Sequence, residues 1–102
     1  MRALIQRVEY AKVTVEDEII GSIGPGLCVL VGVTHTDGAE ESRKIAKKIT
    51  KLRIFDDSEG VMNLSPLDTS SEILVISQFT LYGDTSRGNR PSWINAAKPE
   101  HA

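Results

Sequence analysis

The segment Ser71–Tyr82 places four consecutive large apolar residues, Ile73–Ile76, directly before a polar end. A short apolar run of this kind is typical of a β-strand that is buried on both faces. Ser77, Gln78 and Thr80 then bring hydroxyl and amide groups to the point where such a strand finishes. Because a rigid strand end holds backbone N–H groups and hydroxyls against a ligand, we expect a functional site at this position.

The length of the chain limits the number of domains, and its net charge limits the kind of partner. A chain of 102 residues with 40% hydrophobic content is long enough for one core and too short for two, so a single domain, 1–102, is predicted. The formal net charge of −2 argues against broad attachment to polyanions, which needs a large basic surface. Any contact with RNA is therefore expected to be local.

Cysteine content and hydropathy bear on the cellular compartment. The single cysteine, Cys28, excludes an intrachain disulfide and is expected to be an unreactive core thiol. No apolar run approaches the roughly 20 residues that a membrane span needs, so we expect a cytoplasmic protein. No group of His, Cys and acidic residues has the spacing of a metal site, and neither a metal nor another cofactor is predicted.

The strand signals predict a sheet-rich first third. Four segments rich in branched apolar residues are predicted as strands: Arg2–Val8, Lys12–Val15, Glu18–Ile23 and Leu27–Val33. The middle two form a hairpin, although its turn at Glu16-Asp17 lacks the usual glycine, and Glu9-Tyr10 is expected to mark a bulge. Later in the chain, a short strand ending at Phe55 and a return arm Val61–Leu64 flank an acidic turn.

The pattern between Thr36 and Arg53 changes to a helical period, which predicts one amphipathic helix packed on the sheet. Asp37 followed three residues later by Glu40 resembles a capping box, so the helix is expected to begin near Gly38. Basic side chains cluster in its second half: Arg43, Lys44, Lys47, Lys48 and Lys51. A solvated helix face and a surface for RNA are both open interpretations of this cluster.

Several blocks of sequence resemble the D-aminoacyl-tRNA deacylase family. The blocks are Met1–Val8, Leu52–Asp57, Gly60–Leu64, Ser77–Tyr82 and Arg87–Ser92. Their order and separations match over the whole chain, which is more specific than the Ser-Gln-Phe-Thr signature alone. The resemblance implies an α+β fold with a mixed, largely antiparallel, barrel-like sheet and one main amphipathic helix, assembled as a homodimer.

The resemblance also implies a proofreading hydrolase that cleaves the ester bond of D-aminoacyl-tRNA, and of glycyl-tRNA(Ala), at the tRNA 3′ end. Family chains continue to a Gly-Pro motif whose cis peptide enters the partner subunit's site and excludes L-amino acids. Residues 1–102 are expected to lack that C-terminal part, and so to have weak activity or none, with poor chiral discrimination in any activity that they keep. The alternative is a catalytically silent RNA-binding or oligomerisation module. Neither DNA nor a membrane is an expected partner.

Hydrolysis of an aminoacyl ester needs an attacking group and donors for the carbonyl oxygen that becomes negative. We assign the donors to the main chain of Phe79 and Thr80, with Ser77 and Gln78 shaping the pocket. Thr80 is the obvious nucleophile, yet the two histidines lie in a loop and at the chain end, so no convincing base is available. Water or the substrate's 2′-hydroxyl is preferred as the attacking group.

Four further residues are predicted to bind substrate or the partner subunit: Arg7, Tyr82, Arg87 and Arg90. Phe79 and Tyr82 are expected to face opposite sides of a strand, so that one walls the amino-acid pocket while the other packs in the core. Arg87 and Arg90, in the polar loop 83–93, are placed to meet phosphates of the acceptor end, with a solvated loop as the alternative. By resemblance, Arg7 holds the partner's Gly-Pro loop.

Overall fold

The computed structural model describes every residue from Met1 to Ala102. The strands are β1 (Arg2–Val8), β2 (Ala11–Val15), β3 (Glu18–Ile23), β4 (Gly26–Gly32), β5 (Phe55–Asp56), β6 (Met62–Leu64) and β7 (Glu72–Ser77). The helices are α1 (Ala39–Thr50) and the short α2 (Pro66–Thr69), and a 3₁₀ turn spans Phe79–Tyr82. All strand pairs are antiparallel except β4 with β7, which confirms the α+β class with antiparallel-rich sheets and one main helix.

Strand β4 is the centre of the molecule. It pairs with β1 on one side and with β7 on the other, and α1 covers one face of the resulting sheet. Leu27 and Val29 are fully buried there and pack against Ile49 of α1. The prediction of a strongly buried strand in this segment is therefore confirmed.

Strand β7 lies at the free edge of the same sheet, and the prediction that it is buried on both faces is wrong. Its outer edge pairs with no strand, and the side chain of Val75 is 64% exposed. The apolar run suits a central strand, but only β4 has strands on both sides. The opposite face of β7 is covered by the β2–β3 hairpin, since a Cβ on Gly21 would lie 3.2 Å from Leu74 Cδ1.

The β2–β3 hairpin forms as predicted, and its turn closes without glycine because Glu16 and Asp17 both adopt positive φ, 50° and 66°. Glu9-Tyr10 is not a bulge: the chain leaves the first sheet there, and the irregular register lies between Val13 and Thr14. The strands form three separate sheets of three, two and two strands, so the barrel-like closure implied by the resemblance is not seen within these residues.

Helix α1 begins with a different cap from the one predicted. Gly38 is the N-cap, and its N–H donates to the Glu41 carboxylate at 2.8 Å. The predicted pairing of Asp37 with Glu40 is wrong because the Asp37 carboxylate is used in a tertiary contact with the N-terminus, 2.6 Å away. The helix ends at Thr50, before the predicted Arg53.

Neither helix combines the length and hydropathy that crossing a membrane requires. Cys28, on β4, is only partly buried and has no disulfide partner. No three His, Cys, Asp or Glu side chains are grouped so that they could hold a metal ion.

Candidate active site

Strand β7 stops pairing at Ser77, and the chain then bends into the 3₁₀ turn. Ser77 is in register with Val31 of β4, and the N–H of Gln78 donates to the Val31 carbonyl at 2.8 Å. The next bond along the chain is donated by Leu81 to the Gln78 carbonyl, at 3.4 Å. The N–H groups of Phe79 and Thr80 lie between these two donors, past the last ladder pair of β7, and they donate to no turn, loop or cap bond.

The side chains of Gln78 and Thr80 are joined by a hydrogen bond. The Gln78 amide Nε2 donates to Thr80 Oγ1, which leaves the hydroxyl proton free to donate in turn. His35 and His101 do not reach Thr80, because the ring Nε2 of each bonds to a backbone carbonyl elsewhere. Thr80 is therefore placed as a hydrogen-bond donor and lacks the paired base that a threonine nucleophile requires.

A cleft of about 620 Å³ opens beside this strand end. Its walls are Ser77, Phe79, Trp93 and residues of the C-terminal segment 96–102. The rings of Phe79 and Trp93 meet edge to face, with centroids 5.3 Å apart. Both rings are partly exposed, so the cleft offers an apolar wall to a ligand, and Ser77 and Phe79 from the strand end line the same cleft.

A second cavity, of about 370 Å³, separates α1 from the exposed end of the sheet. Most of its lining is aliphatic and includes Val29, Ile45, Ile49 and Val75. Ser77 is the one signature residue that reaches it. Phe79 does not line this cavity, whereas it does line the cleft, and the Phe79 N–H is one of the two unpartnered donors. The cleft beside Phe79 and Trp93 is therefore the candidate site.

Tyr82 belongs to the core side of the turn. Its side chain is buried, and the guanidinium of Arg2 lies 4.5 Å from the ring centroid. Burial raises the pKa of the Tyr82 phenol, the negative charge of Asp37 adds to the rise, and Arg2 opposes it. Phe79 is exposed and Tyr82 is buried, as expected, but the separation arises in a 3₁₀ turn and not from strand alternation.

Arg7 lies at the far end of β1 from the signature segment. It is in register with Leu27, which is in register with Ile73, four residues before Ser77. That offset corresponds to about 13 Å along a strand. The Arg7 guanidinium donates to the Ile54 carbonyl at 3.0 Å and lies 3.4 Å from Asp56 Oδ1. Within one copy of the chain, Arg7 therefore supports the segment around β5.

Arg87 and Arg90 lie in an exposed loop that is closed by two hydrogen bonds between Asp84 and Ser92, at 2.8 and 2.9 Å. Neither arginine forms an ion pair, since the two ion pairs of the chain involve other residues. Trp93 follows the loop directly, so the two guanidinium groups belong to the segment that leads into the cleft wall.

Three contributors to the site were missed by sequence reasoning. Trp93 forms a wall of the cleft, and Arg2 donates to the Leu81 carbonyl within the 3₁₀ turn at 2.9 Å. Gly83 allows Trp93 its position, because a Cβ on Gly83 would lie 2.6 Å from Trp93 Cζ3. A single tryptophan placed directly after a polar, arginine-bearing loop was the one signal that pointed to this wall.

The central sheet of this α+β fold ends, at β7, in two backbone amides without hydrogen-bond partners, beside a cleft walled by Phe79 and Trp93. In general, amide donors fixed in this way can stabilise an oxyanion. The family model for D-Tyr-tRNA(Tyr) deacylase matches residues 4–102. The D-aminoacyl-tRNA deacylase of Bacillus velezensis is 57% identical over 102 residues, and that of Chloroherpeton thalassium is 58% identical. The chain belongs to the D-Tyr-tRNA(Tyr) deacylase family.

All 102 residues align with these two relatives and span 69% and 67% of their lengths, about two thirds. Among solved structures, the c-Myc DNA Unwinding Element Binding Protein is similar, with a TM-score of 0.90 and 42% identity over 98% of this chain and 67% of its own. A probable eukaryotic D-amino acid tRNA deacylase has a TM-score of 0.74 at 18% identity, covering 96% of this chain and 58% of its own, and supports the fold alone.

Proposed function

We propose that this chain hydrolyses the ester bond that joins a D-amino acid, or glycine, to the 3′ end of tRNA. The observation that carries the proposal is the pair of unused N–H groups at Phe79 and Thr80, beside the cleft that Phe79 and Trp93 wall. The deacylase relatives favour an enzyme over a catalytically silent module. The compartment we propose is the cytoplasm, where charged tRNA is used.

The amides of Phe79 and Thr80 would act on the carbonyl oxygen of the ester. Attack on the carbonyl carbon moves an electron pair onto this oxygen, and donors already fixed at a strand end stabilise it without reorganisation. Loss of one such donor typically costs about 3 to 4 kcal/mol of transition-state stabilisation. Collapse of the intermediate breaks the bond to the 3′ oxygen, which leaves as the ribose hydroxyl.

Water is the attacking group in this scheme. Attack by the terminal 2′-hydroxyl would only move the acyl group to that oxygen, so release of the amino acid still needs water. The 2′-hydroxyl is therefore assigned to orienting the water, together with the hydroxyl of Thr80. Ser77 and Gln78 hold the local geometry, Gln78 through its bond to Thr80 Oγ1.

Chiral selection in this scheme is steric, because a clash rejects an L side chain more strongly than a slightly better contact favours the D form. We also propose a homodimer. Its support is the unpaired outer edge of β7 and the exposed Val75 beside it, since such edges and apolar patches favour association.

The test is the release of labelled tyrosine from D-tyrosyl-tRNA and from L-tyrosyl-tRNA. Phe79→Pro removes one amide donor, and the backbone of Gln78, φ −143° and ψ 95°, lies outside the α region that a following proline disfavours. Phe79→Leu is the matched control, because it removes the ring and keeps the N–H. We expect Phe79→Pro to reduce the rate about 100-fold or more relative to Phe79→Leu.

Equal rates for the two variants would contradict the proposed role of the Phe79 amide. Binding of tRNA without any hydrolysis by the unmodified chain would favour the silent module instead. Duplex DNA at the same nucleotide concentration is not expected to compete with charged tRNA, and effective competition would overturn our expectation that DNA is not a partner.

A further inference from the structure

The α-amino group of Met1 forms a buried ion pair. Its nitrogen lies 2.6 Å from Asp37 Oδ2, and the side chains of Met1 and Asp37 are only 9% and 6% exposed. The same carboxylate oxygen accepts the N–H of Thr34 at 2.9 Å. In the other ion pair of the chain, between Arg7 and Asp56, both side chains are about half exposed.

This ion pair lies where the segments around the cleft meet. The carbonyl of Asp37 accepts a bond from His101 Nε2 at 2.6 Å, which attaches the C-terminal segment to the same loop. Four residues earlier in that loop, the Val33 carbonyl accepts the N–H of Ala97, a cleft residue, at 2.8 Å. The Met1 nitrogen thus connects the start of β1 to the loop that holds one wall of the cleft.

The N-terminus is also connected to the amide donors. Arg2, the next residue, donates to the Leu81 carbonyl at 2.9 Å and stacks on Tyr82. Both contacts are made to the 3₁₀ turn that begins with Phe79 and Thr80. A displacement of Met1 would therefore be transmitted through β1 to the turn as well as through Asp37 to the cleft wall.

We propose that the free α-amino group of Met1 is a modification-sensitive anchor of the candidate site, and that an acyl group on this nitrogen loosens the cleft. In formylation or acetylation an activated acyl donor forms a C–N bond to this nitrogen and its bond to the leaving group breaks. The nitrogen gives up two protons, one to the leaving group and one to solvent, and becomes a neutral amide. Asp37 then keeps its buried charge without the cation that balances it, which is the costly way to break a buried pair. The added atoms must also displace the 2.6 Å contact between the Met1 nitrogen and Asp37 Oδ2.

Cys28 makes a direct test practical. Native chemical ligation joins a synthetic peptide of residues 1–27, carrying a chosen N-terminus, to residues 28–102 through the Cys28 thiol. Three chains are compared: one with a free Met1 amine, one with N-acetyl-Met1 and one with N,N-dimethyl-Met1, which stays positively charged. Each is also made with Asp37→Asn in the second segment, and urea unfolding is followed for all six.

We expect acetylation to raise the unfolding equilibrium constant roughly 100-fold or more, as loss of one partner of a buried pair does. In the Asp37→Asn chains the same acetylation is expected to change it less than about threefold, because the partner charge is absent. Dimethylation is expected to act more weakly than acetylation. If acetylation changed the unfolding equilibrium equally in the chains with Asp37 and with Asp37→Asn, or in neither, the proposal that Met1 anchors the site through Asp37 would be contradicted.

The role of the anchor in the site rests on the proposed hydrolysis, and the two are tested separately. Hydrolysis of D-tyrosyl-tRNA is measured under conditions in which each chain is folded, and acetylation is expected to lower it at least tenfold. Acetyl-dependent unfolding without hydrolysis by any chain would retain the anchor and reject the proposed function. If the acetylated chain were as stable as the unmodified chain and hydrolysed D-tyrosyl-tRNA normally, the proposed function would be retained and the anchor rejected.

Should the acetylated chain fail to fold at all, the dimethylated pair supplies the comparison. A fully folded dimethylated chain would then show that charge on the Met1 nitrogen is what matters, which supports the anchor. An unfolded dimethylated chain that Asp37→Asn does not rescue would show that bulk alone is responsible, which contradicts it.

Discussion

The guanidinium of Arg2 lies 4.5 Å from the ring centroid of Tyr82, and the same group donates to the carbonyl of the neighbouring Leu81. One side chain at the start of the first strand therefore holds the 3₁₀ turn, 79 residues away in sequence, against the central sheet. Phe79 and Thr80, which carry the two backbone amides of the candidate site, are the first two residues of this turn. Their position depends on β1 as well as on β7.

Arg2→Ala is expected to lower the free energy of unfolding by about 1 to 2 kcal/mol, because it removes a cation–π contact and a hydrogen bond. Urea unfolding measures this change. Arg43→Ala is the matched control, since Arg43 is exposed on α1 and forms no ion pair or side-chain hydrogen bond. A similar loss for both variants would show that the Arg2 contacts contribute nothing specific.

Thr80→Ser and Thr80→Val separate an orienting hydroxyl from a nucleophile. If Thr80 only orients, the serine variant keeps its hydroxyl and is expected to hydrolyse D-tyrosyl-tRNA within about threefold of the unmodified chain. The valine variant is expected to lose roughly 10- to 100-fold, the range of one or two hydrogen bonds. Single-turnover hydrolysis is the measurement, and an acyl-enzyme trapped on Thr80 by acid quench would refute this assignment.

Gly83→Ala is expected to displace the Trp93 ring, because the added Cβ would lie 2.6 Å from Cζ3. The backbone at Gly83, with φ −62° and ψ 133°, suits alanine, so the effect is steric and not conformational. Trp93 is the only tryptophan, and its fluorescence emission is expected to shift as it leaves Phe79. Gly24→Ala, whose new Cβ would have no neighbour closer than 3.8 Å, is the control that should leave the spectrum unchanged.

The fall in the free energy of unfolding at acid pH, here called the acid limb, is expected to depend on Asp37. The hydrogen bond from the N-terminal ammonium group, followed by that from the Thr34 N–H, lowers the pKa of Asp37 below its usual 3.8, while burial acts in the opposite direction. A lowered folded-state pKa gives stability that is present above 3.8 and is lost as the pH falls from there through the folded pKa.

Asp37→Asn should therefore flatten the fall in unfolding free energy at and below pH 3.8, measured by urea unfolding at a series of pH values. Asp17→Asn, in the exposed hairpin turn, is the comparison variant. An acid limb as steep in Asp37→Asn as in the unmodified chain would mean that the Met1–Asp37 pair does not govern acid stability.

Arg87→Ala and Arg90→Ala test the loop beside the cleft. If the guanidinium groups meet tRNA phosphates, each substitution is expected to weaken tRNA binding and to reduce the slope of log affinity against log salt by about 0.7 to 0.9. Filter binding over a range of salt concentrations gives the slope. Arg43→Ala serves again as control, and unchanged slopes for both loop variants would identify the loop as a solvated segment.

Much of the local structure could be predicted from the sequence. The hairpin, the helix between Ala39 and Thr50 and the buried strand Gly26–Gly32 follow from alternation, helical period and a continuous apolar run. These patterns depend on neighbours within a few residues, and so they can be recognised in the chain itself. The ordered blocks that resemble the deacylase family likewise lie in the sequence alone.

The tertiary structure decided what lies far apart in sequence. The apolar run of β7 resembles that of β4, yet Val75 is exposed because β7 occupies the sheet edge. Asp37 has the spacing of a helix cap, but the Met1 ammonium group uses its carboxylate. Periodicity describes which face of an element is apolar and carries no information on which distant segment will cover it. Strand order and long-range pairing settle that, and they also set the positions of Arg2, Trp93 and the two free amides.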